Sequence, residues 1–271
     1  MKTRTKISLV IVAFATSLAV VKAQGVYVNL GLGYNLNAAK QVVGSNDVDN
    51  TSANTSSSEN VTGSFGKGFG FGLGLGYMFT ENIGAEASFS MLFGSKYKTT
   101  YSNDLGTSGN GEIKGSIMRI TPALKVTGGE KLKPYAKFGL VVGVGAKGTQ
   151  TVNLNGVGFT YKETDKYSGG TSIGWMGAFG VDFELSEMLG IYLELNSINQ
   201  TWAPEKNDWS ITQSGVISES ESGTQTFVDK ISGTQSSSTI FNVDNQALKT
   251  YNPFSSFGIH VGAKLSFGGS N

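Results

Sequence analysis

The chain has 271 residues, with 21 Lys and Arg against 20 Asp and Glu, and it contains no cysteine. The absence of cysteine excludes disulfides, thiolate metal sites and thiol catalysis. Residues 1–23 hold four of the basic residues and none of the acidic ones, so residues 24–271 carry 17 basic and 20 acidic side chains. This mildly acidic balance argues against nucleic acid as a partner.

The N-terminal residues have the three parts of a secretory signal. A basic start precedes an apolar run over Ile7–Val21, and small residues precede a predicted cleavage site between Ala23 and Gln24. The apolar run is shorter than the ~20 residues that a membrane-spanning helix requires. We therefore predict a cleaved signal peptide over residues 1–23 and an exported domain over residues 24–271.

Eight segments of the mature chain alternate apolar residues with glycine or polar residues. In the clearest of them, Lys67–Phe79, five glycines alternate with aromatic and aliphatic residues. Side chains alternate faces along a β-strand, so each segment presents one apolar face and one small or polar face. We predict strands over residues 26–36, 67–79, 83–93, 118–126, 136–145, 173–185, 189–196 and 257–267.

The connections between these segments alternate between short and long. Short turns on one side and long loops on the other are typical of outer-membrane barrels, in which the long loops face outward. The short connections are 80–82, 127–133 and 186–188, and the long ones are 37–66, 95–112, 147–170 and 198–253. Alternating apolar residues in the last connection predict that strands seven and eight continue beyond the membrane as a hairpin. These residues are Val216, Ile217, Phe227, Val228, Ile231, Ile240 and Phe241.

A soluble barrel or sandwich is the competing architecture, because alternation alone does not say which face meets water. The polar faces contain mostly Gly, Ser, Ala and Asn with single charges, whereas a water-exposed face normally carries many Lys and Glu. The apolar faces carry aromatic residues near the strand ends, as at a membrane interface. We therefore predict an all-β fold, an eight-stranded antiparallel up-and-down transmembrane β-barrel with short periplasmic turns and long extracellular loops.

These patterns resemble the small outer-membrane barrel families of Gram-negative bacteria, the OmpA transmembrane-domain and OmpX/Ail type, and particularly the "outer membrane protein beta-barrel domain" proteins of Bacteroidota. The resemblance covers nearly the whole mature chain. It implies a location in the bacterial outer membrane and contact with its lipid, including lipopolysaccharide. It is carried by Gly25–Tyr34, Lys133–Tyr135, Gly174–Leu185, Gly190–Leu195 and Gly258–Phe267.

The last predicted strand carries an aromatic residue of the kind that the barrel-assembly machinery reads in these families. In the families that aromatic normally ends the chain, whereas Phe267 is followed by Gly268–Asn271. We expect the assembly machinery to bind the strand that contains Phe267. No peptidoglycan-binding domain follows the strand, so a tether to the cell wall of the OmpA kind is not expected.

Nine ionisable residues fall on the predicted inward faces. Buried charges persist when they are paired, and an eight-stranded interior is barely wide enough for its own side chains. We therefore predict a salt-bridge network that closes the lumen, with a transport or gating role as the alternative. The expected pairing sets Arg119 and Lys125 against Glu86, Glu184 and Glu194. The full set is Glu86, Arg119, Lys125, Lys137, Asp182, Glu184, Glu194, His260 and Lys264.

His260 is the only histidine of the chain, and Ser256 is nearby in sequence. Outer-membrane hydrolases generally combine a histidine with a carboxylate or a serine, but a histidine that bonds to the charge network is the preferred interpretation. We predict no catalytic residue, metal site or cofactor. The expected function is non-enzymatic, in envelope structure and in binding of an extracellular ligand by the long loops. The alternatives are a narrow porin-like channel for small solutes and, third, a lipid- or peptide-modifying enzyme.

Overall fold

The computed structural model of the protein describes residues 25–38, 41–215, 218–231 and 245–267, and it places sixteen β-strands in them. The predicted signal peptide and the residues after Phe267 lie outside the described residues. Within the described part of the chain, no helix is long and apolar enough to cross a membrane. The strands are β1 Gly25–Asn37, β2 Gln41–Asn50, β3 Thr55–Gly63, β4 Gly68–Met78, β5 Ile83–Gly94, β6 Tyr97–Asn103, β7 Ser108–Thr127, β8 Leu132–Gly156, β9 Phe159–Ser168, β10 Ser172–Glu184, β11 Leu189–Trp202, β12 Lys206–Gly215, β13 Glu219–Val228, β14 Gln246–Leu248, β15 Asn252–Pro253 and β16 Ser256–Phe267.

Eight of these strands form a closed antiparallel ring. Their order around the ring is β1, β4, β5, β7, β8, β10, β11 and β16. The last strand pairs with the first, with Leu265 opposite Val28 and Val261 opposite Leu32. A closed ring leaves no unpaired edge, which a flat sheet of eight strands would have. The prediction of an all-β, antiparallel fold is confirmed, and the eight predicted segments are the eight strands of the ring.

The prediction of eight strands in total is wrong, because the long connections contain strands of their own. β7 has 20 residues and β8 has 25, so both extend far past the ring on the side of the long connections. One flank of this extension carries β6, β2 and β3, and the other carries β9, β12, β13 and β14. Outside a membrane both faces of a strand can meet water, so these extensions lack the alternation from which strands were predicted.

The hairpin predicted for the last connection forms with different neighbours. β12 pairs with β13, but its other neighbour is β9 and not the ring. Ala203, Pro204 and Glu205 separate β11 from β12, so strand seven does not continue straight into the hairpin. Phe227 and Val228 lie in β13. The predicted hairpin residues at 216, 217, 240 and 241 lie outside the described residues.

The ring is apolar outside and polar inside. Leu30, Leu75 and Phe179 are 61%, 58% and 73% exposed on the outer surface. Their neighbours in sequence, including Asn29 and Gly74, face inward and are buried. This inverts the distribution of a soluble protein and agrees with the faces that alternation predicted.

Candidate functional site

The interior near the short turns is filled by a group of buried charges. Lys137 on β8 places its Nζ atom 2.8 Å from Glu86 Oε1 and 2.8 Å from Glu194 Oε2. Asn29 donates a hydrogen bond of 3.0 Å to the other oxygen of Glu86. One lysine therefore bridges two carboxylates that come from β5 and β11, across the inside of the ring.

A second buried group has the opposite composition, with two lysines on one carboxylate. Lys125 and Lys264 place their Nζ atoms 2.9 Å and 2.7 Å from Asp182 Oδ2. Two tyrosines join the groups, since Lys125 Nζ lies 4.0 Å from the ring centroid of Tyr135 and 4.9 Å from that of Tyr27. The Tyr27 and Tyr135 hydroxyls donate hydrogen bonds to Glu86 and Glu194. We call these eight residues the inner plug: Tyr27, Glu86, Lys125, Tyr135, Lys137, Asp182, Glu194 and Lys264.

The tyrosines of the inner plug lie over glycines of the neighbouring strands. Tyr27 on β1 is directly opposite Gly76 on β4, and Tyr135 on β8 is opposite Gly180 on β10. A Cβ atom at either glycine would overlap the tyrosine ring. The glycines therefore leave room for the tyrosine rings to lie flat against the inner surface of the ring of strands. Strand β4 has a glycine at this level and no side chain in the inner plug.

Three members of the predicted network, Arg119, Glu184 and His260, are not part of the inner plug. Arg119 is buried higher in the ring, where its Nε donates to Gln200 Oε1 at 2.9 Å and its Nη2 to the carbonyl oxygen of Phe254 at 2.8 Å. No carboxylate pairs with it among the described residues. Glu184 is exposed at the rim and pairs with Lys133. The expected pairing of Arg119 and Lys125 with Glu86, Glu184 and Glu194 does not form. Glu86 and Glu194 pair with Lys137, Glu184 pairs with Lys133, and Lys125 pairs with Asp182.

The difference arises from height along the ring. Alternation fixes the face of a side chain but not its level. Arg119 and Lys125 are six residues apart on β7, which is roughly 20 Å along a strand. They share a face and have no partner in common.

His260 lies on the inward face of β16, directly opposite Glu194 on β11, whose carboxylate is bonded by Lys137 and Tyr135. Its Nε2 atom is 3.4 Å from Asn35 Oδ1. Ser256 is buried at the start of the same strand. Four strand residues separate the two by roughly 13 Å, too far for proton transfer between them. Across the described ranges, no group of three or more His, Cys, Asp or Glu side chains is placed to hold a metal ion.

The other end of the ring is closed by residues of the long connections. Phe254 is fully buried, with its ring centroid 5.7 Å from that of Phe65 and 5.9 Å from that of Trp202. The Ser64 hydroxyl donates to the carbonyl oxygen of Ser255 at 2.7 Å and lies 3.2 Å from that of Pro253, which ties the two connections together. We call Phe65, Trp202 and Phe254 with the buried Leu92, Ile117 and Ala146 the outer plug. Sequence reasoning missed it because its key residues lie outside the alternating segments.

A cavity of about 80 Å³ lies between the two plugs. Gly70, Gly72 and Ser90 form its small-residue wall. Asn29 and Asn196 also line it, and their buried amide oxygens have no hydrogen-bond partner among the described residues. The cavity is polar and large enough for several water molecules, which would satisfy these oxygens.

A second cavity, of about 380 Å³, lies above Phe254 among the strands that extend past the ring. We call it the vestibule. Its wall contains Tyr167 and Phe227, whose ring centroids are 6.1 Å apart. Burial raises the pKa of Tyr167 to about 12, with the charges of Asp165 and Glu163 adding to the effect. The Tyr167 hydroxyl therefore remains a neutral donor and acceptor at physiological pH.

Comparison with solved structures finds outer-membrane proteins of low sequence identity. The chain is similar to OprG of Pseudomonas aeruginosa, at 15% identity over 92% of this chain and 98% of that one, with a TM-score of 0.41. It is also similar to Ail of Yersinia pestis, at 9% identity over 89% and 97%, with a TM-score of 0.30. The outer membrane protease OmpT of Escherichia coli matches at 9% identity over 92% and 100%, with a TM-score of 0.29.

Comparison of the sequence with curated proteins gives no significant match. The family model described as "Outer membrane protein beta-barrel domain" matches residues 7–216, which include most of the ring and its first extensions. This agrees with the inverted distribution of apolar and polar faces around a closed ring. The chain therefore belongs to the outer membrane protein beta-barrel domain family.

Proposed function

We propose that this protein is a non-enzymatic, non-conducting barrel of the outer membrane that supports envelope structure and binds a partner on its long-loop side. The observation that carries the proposal is the closure of the interior at two levels. Lys137 bridges Glu86 and Glu194 across the inner plug, and Phe254 fills the outer plug. A wall of rigid strands with a filled interior is a scaffold, and binding on such a scaffold commonly uses its loops.

The placement in the membrane follows from the outer surface of the ring. Its exposed apolar side chains form a belt that a soluble monomer would not tolerate. The 11 residues of β4 match the 9–11 residues with which a tilted strand crosses a bilayer. We infer that the short turns face the periplasm, that the belt contacts outer-membrane lipid including lipopolysaccharide, and that the signal is cleaved after Ala23. We also infer that the assembly machinery reads the strand that contains Phe267.

Planar-bilayer recordings of the refolded mature chain test the non-conducting proposal. We expect no reproducible conductance steps from protein whose folded state is verified by its shifted mobility in unboiled gels. A folded barrel keeps its hydrogen bonds internal and resists the detergent, which gives that shift. Reproducible steps that disappear in Gly72→Trp, which fills the cavity between the plugs, would establish conduction and overturn the proposal.

A narrow channel for small solutes is the second candidate, and the cavity between the plugs favours it. Within the outer plug, Phe65 and Phe254 lie on connecting segments, so a movement of these two residues would not break the ring. If the protein is a channel, Phe254→Ala should raise its conductance, and the exposed Tyr251→Ala should leave it unchanged. If the inner plug is enough to close the ring, neither variant should show conductance steps.

A hydrolytic function has weaker support from the geometry. His260 contacts Asn35, and the Ser256 hydroxyl has no hydrogen-bond partner among the described residues. We propose that His260 is a structural member of the interior. Lipid A and peptide turnover by the purified protein should be the same for His260→Ala as for the parent chain.

A further inference from the structure

The vestibule has the size and composition of a ligand site. Its volume of about 380 Å³ falls in the range of roughly 300–1,000 Å³ that is typical of small-molecule pockets. Phe254 and Trp202 form its floor but are only 0% and 2% exposed, so the accessible aromatic surface is the wall of the half-buried Tyr167 and Phe227. Aromatic faces give a large contact area with little loss of conformational entropy, so they suit the binding of a flat, weakly polar surface.

Two glycines of the strands lie beside this aromatic floor. Gly115 on β7 and Gly148 on β8 are directly opposite each other. A Cβ atom at Gly115 would lie 3.0 Å from the tip of the Phe254 ring, and one at Gly148 would lie 3.5 Å from the Trp202 ring. Because Gly115 lacks a side chain, the Phe254 ring packs closely against β7 beneath the vestibule, whereas a Cβ atom at Gly148 would make only an ordinary contact with Trp202.

The polar groups of the vestibule are mainly neutral amides and hydroxyls. Gln150 on β8 and Gln225 on β13 are half-buried and both line the vestibule, and Thr149 adds a hydroxyl. Each glutamine amide offers both a donor and an acceptor. Among the described residues that line the vestibule, Lys114 is the only charged side chain and no carboxylate is present. This composition lacks the carboxylates that a metal ion prefers as ligands, and it suits a neutral solute with many hydroxyl groups.

We propose that the vestibule binds a neutral saccharide of one or two rings. The C–H face of a sugar ring would lie on the Tyr167 and Phe227 rings of the wall, and its adjacent hydroxyls would exchange hydrogen bonds with Gln150 and Gln225. The saccharide proposal rests on the proposed function. If the ring is closed, a solute that enters the vestibule goes no further, so the vestibule is a binding site and not the entrance of a pore. The saccharide proposal adds the class of ligand to the binding role of the long-loop side.

Isothermal titration calorimetry on the refolded mature chain tests the proposal with glucose, N-acetylglucosamine and maltose as probes. We expect at least one of them to bind with a Kd on the order of 1 mM, as for a small neutral ligand with a few hydrogen bonds. Phenol and benzamide serve as flat apolar comparison probes and should bind more weakly. Fluorescence gives a second reading, because Trp175→Phe with Trp209→Phe leaves Trp202 in the vestibule floor as the single tryptophan.

Matched variants separate the aromatic and amide contacts. Gln150→Ala and Tyr167→Ala should each weaken sugar binding about tenfold, the effect of losing one good contact to a ligand. Gln213→Ala on β12 and Tyr161→Ala on β9 are the controls, since neither residue lines the vestibule. Tyr167→Phe keeps the aromatic ring and removes only the hydroxyl, so it should retain most of the affinity for the sugar. It thereby separates loss of the ring contact from misfolding in Tyr167→Ala.

Two results would overturn the saccharide proposal. One is the absence of binding by all three sugars at concentrations up to about 50 mM, far above the expected Kd. The other is binding of phenol or benzamide that Gln150→Ala leaves unchanged, which would make the vestibule a site for apolar compounds. Bilayer recordings on the same protein separate the two proposals. If the protein binds no sugar and does not conduct, the saccharide proposal fails and the proposal of a non-conducting barrel stands.

Discussion

Arg119 holds the carbonyl oxygen of Phe254 with a hydrogen bond of 2.8 Å from its Nη2 atom, and so ties the wall of the ring to the outer plug. The guanidinium is 2% exposed and has a neutral partner, Gln200, at its Nε. Its charge is therefore stabilised by oxygen dipoles and not by a carboxylate among the described residues. Among the described residues, this is the only hydrogen bond from a lumenal charge to the segment that precedes β16.

Arg119→Met should loosen the outer plug. The change leaves the Gln200 and Phe254 oxygens without donors, a loss of roughly 1–3 kcal/mol in the free energy of unfolding, partly offset because a buried charge is removed. We expect faster chymotrypsin cleavage after Tyr251 and Phe254 in the folded protein. Arg119→Lys should give an intermediate rate, because one ammonium group cannot reach both acceptors in the same geometry. Cleavage as slow as in the parent chain would show that the other bonds to the segment, such as that from the Phe65 amide to Pro253, hold it without Arg119.

Lys137→Met should destabilise the protein more than a substitution that breaks an exposed ion pair. It leaves Glu86 and Glu194 buried without their cation, which should lower the free energy of unfolding by roughly 3–5 kcal/mol in urea titrations of refolded protein. Adding Glu194→Gln should recover part of the loss, since the residues share one network. Lys133→Met breaks the exposed pair with Glu184 and is the control, with an expected loss below about 1 kcal/mol. Strictly additive losses in the double variant would contradict a coupled plug.

The closed ring could be predicted because a period of two residues sets both the strand and its faces. The partners inside the ring could not, because the pattern says nothing of height. Arg119, Lys125 and Lys137 all face inward, yet Arg119 bonds to Phe254 while the two lysines take the carboxylates near the short turns. Only the register between strands, which depends on the turns and on packing, decides such pairs.

The extended strands were beyond prediction for a different reason. The part of β8 from Lys147 to Gly156 is made of Gly, Thr, Gln and Asn with scattered valine and leucine. Both of its faces are partly exposed, so no apolar face marks it as a strand. The vestibule is built largely from such segments. Its aromatic residues, such as Tyr167 and Phe227, come together only through the pairing of β8, β9, β12 and β13.

Gly76→Ala should be poorly tolerated, although alanine normally stabilises an extended chain relative to glycine. Its methyl group would overlap the Tyr27 ring, which is 2% exposed and held to Glu86 by its hydroxyl. The ring must move, at an expected cost of roughly 1–3 kcal/mol in the free energy of unfolding. Gly72→Ala on the same strand is the matched control, because its Cβ would lie 3.3 Å from Ser90 Cβ beside the cavity. Equal stability of the two variants would place Tyr27 elsewhere in the ring.

The tip of the β2–β3 hairpin should respond to acid through Asp104. The amides of Thr51 and Ser52 donate to its carboxylate at 2.8 Å and 2.9 Å, which links the hairpin to the turn after β6. Hydrogen bonds from Ser52, through its side chain and its amide, and from Thr51 lower the pKa of Asp104 from 3.8 to about 2. Because the folded-state pKa lies below the unfolded value, the contact is fully present above about pH 4 and is lost as the pH falls through about 2.

NMR spectra of the protein in detergent micelles can follow this titration at the Ser52 amide. We expect its chemical shift to change with a midpoint near pH 2 and to stay constant from pH 5 to 7, where the carboxylate is fully ionised. Asp104→Asn should abolish the titration and shift the Ser52 signal toward that of a free amide at neutral pH, because the amide oxygen is a weaker acceptor than the carboxylate. A midpoint near 3.8 in the parent chain would mean that the hairpin tip and the turn after β6 are not joined in solution.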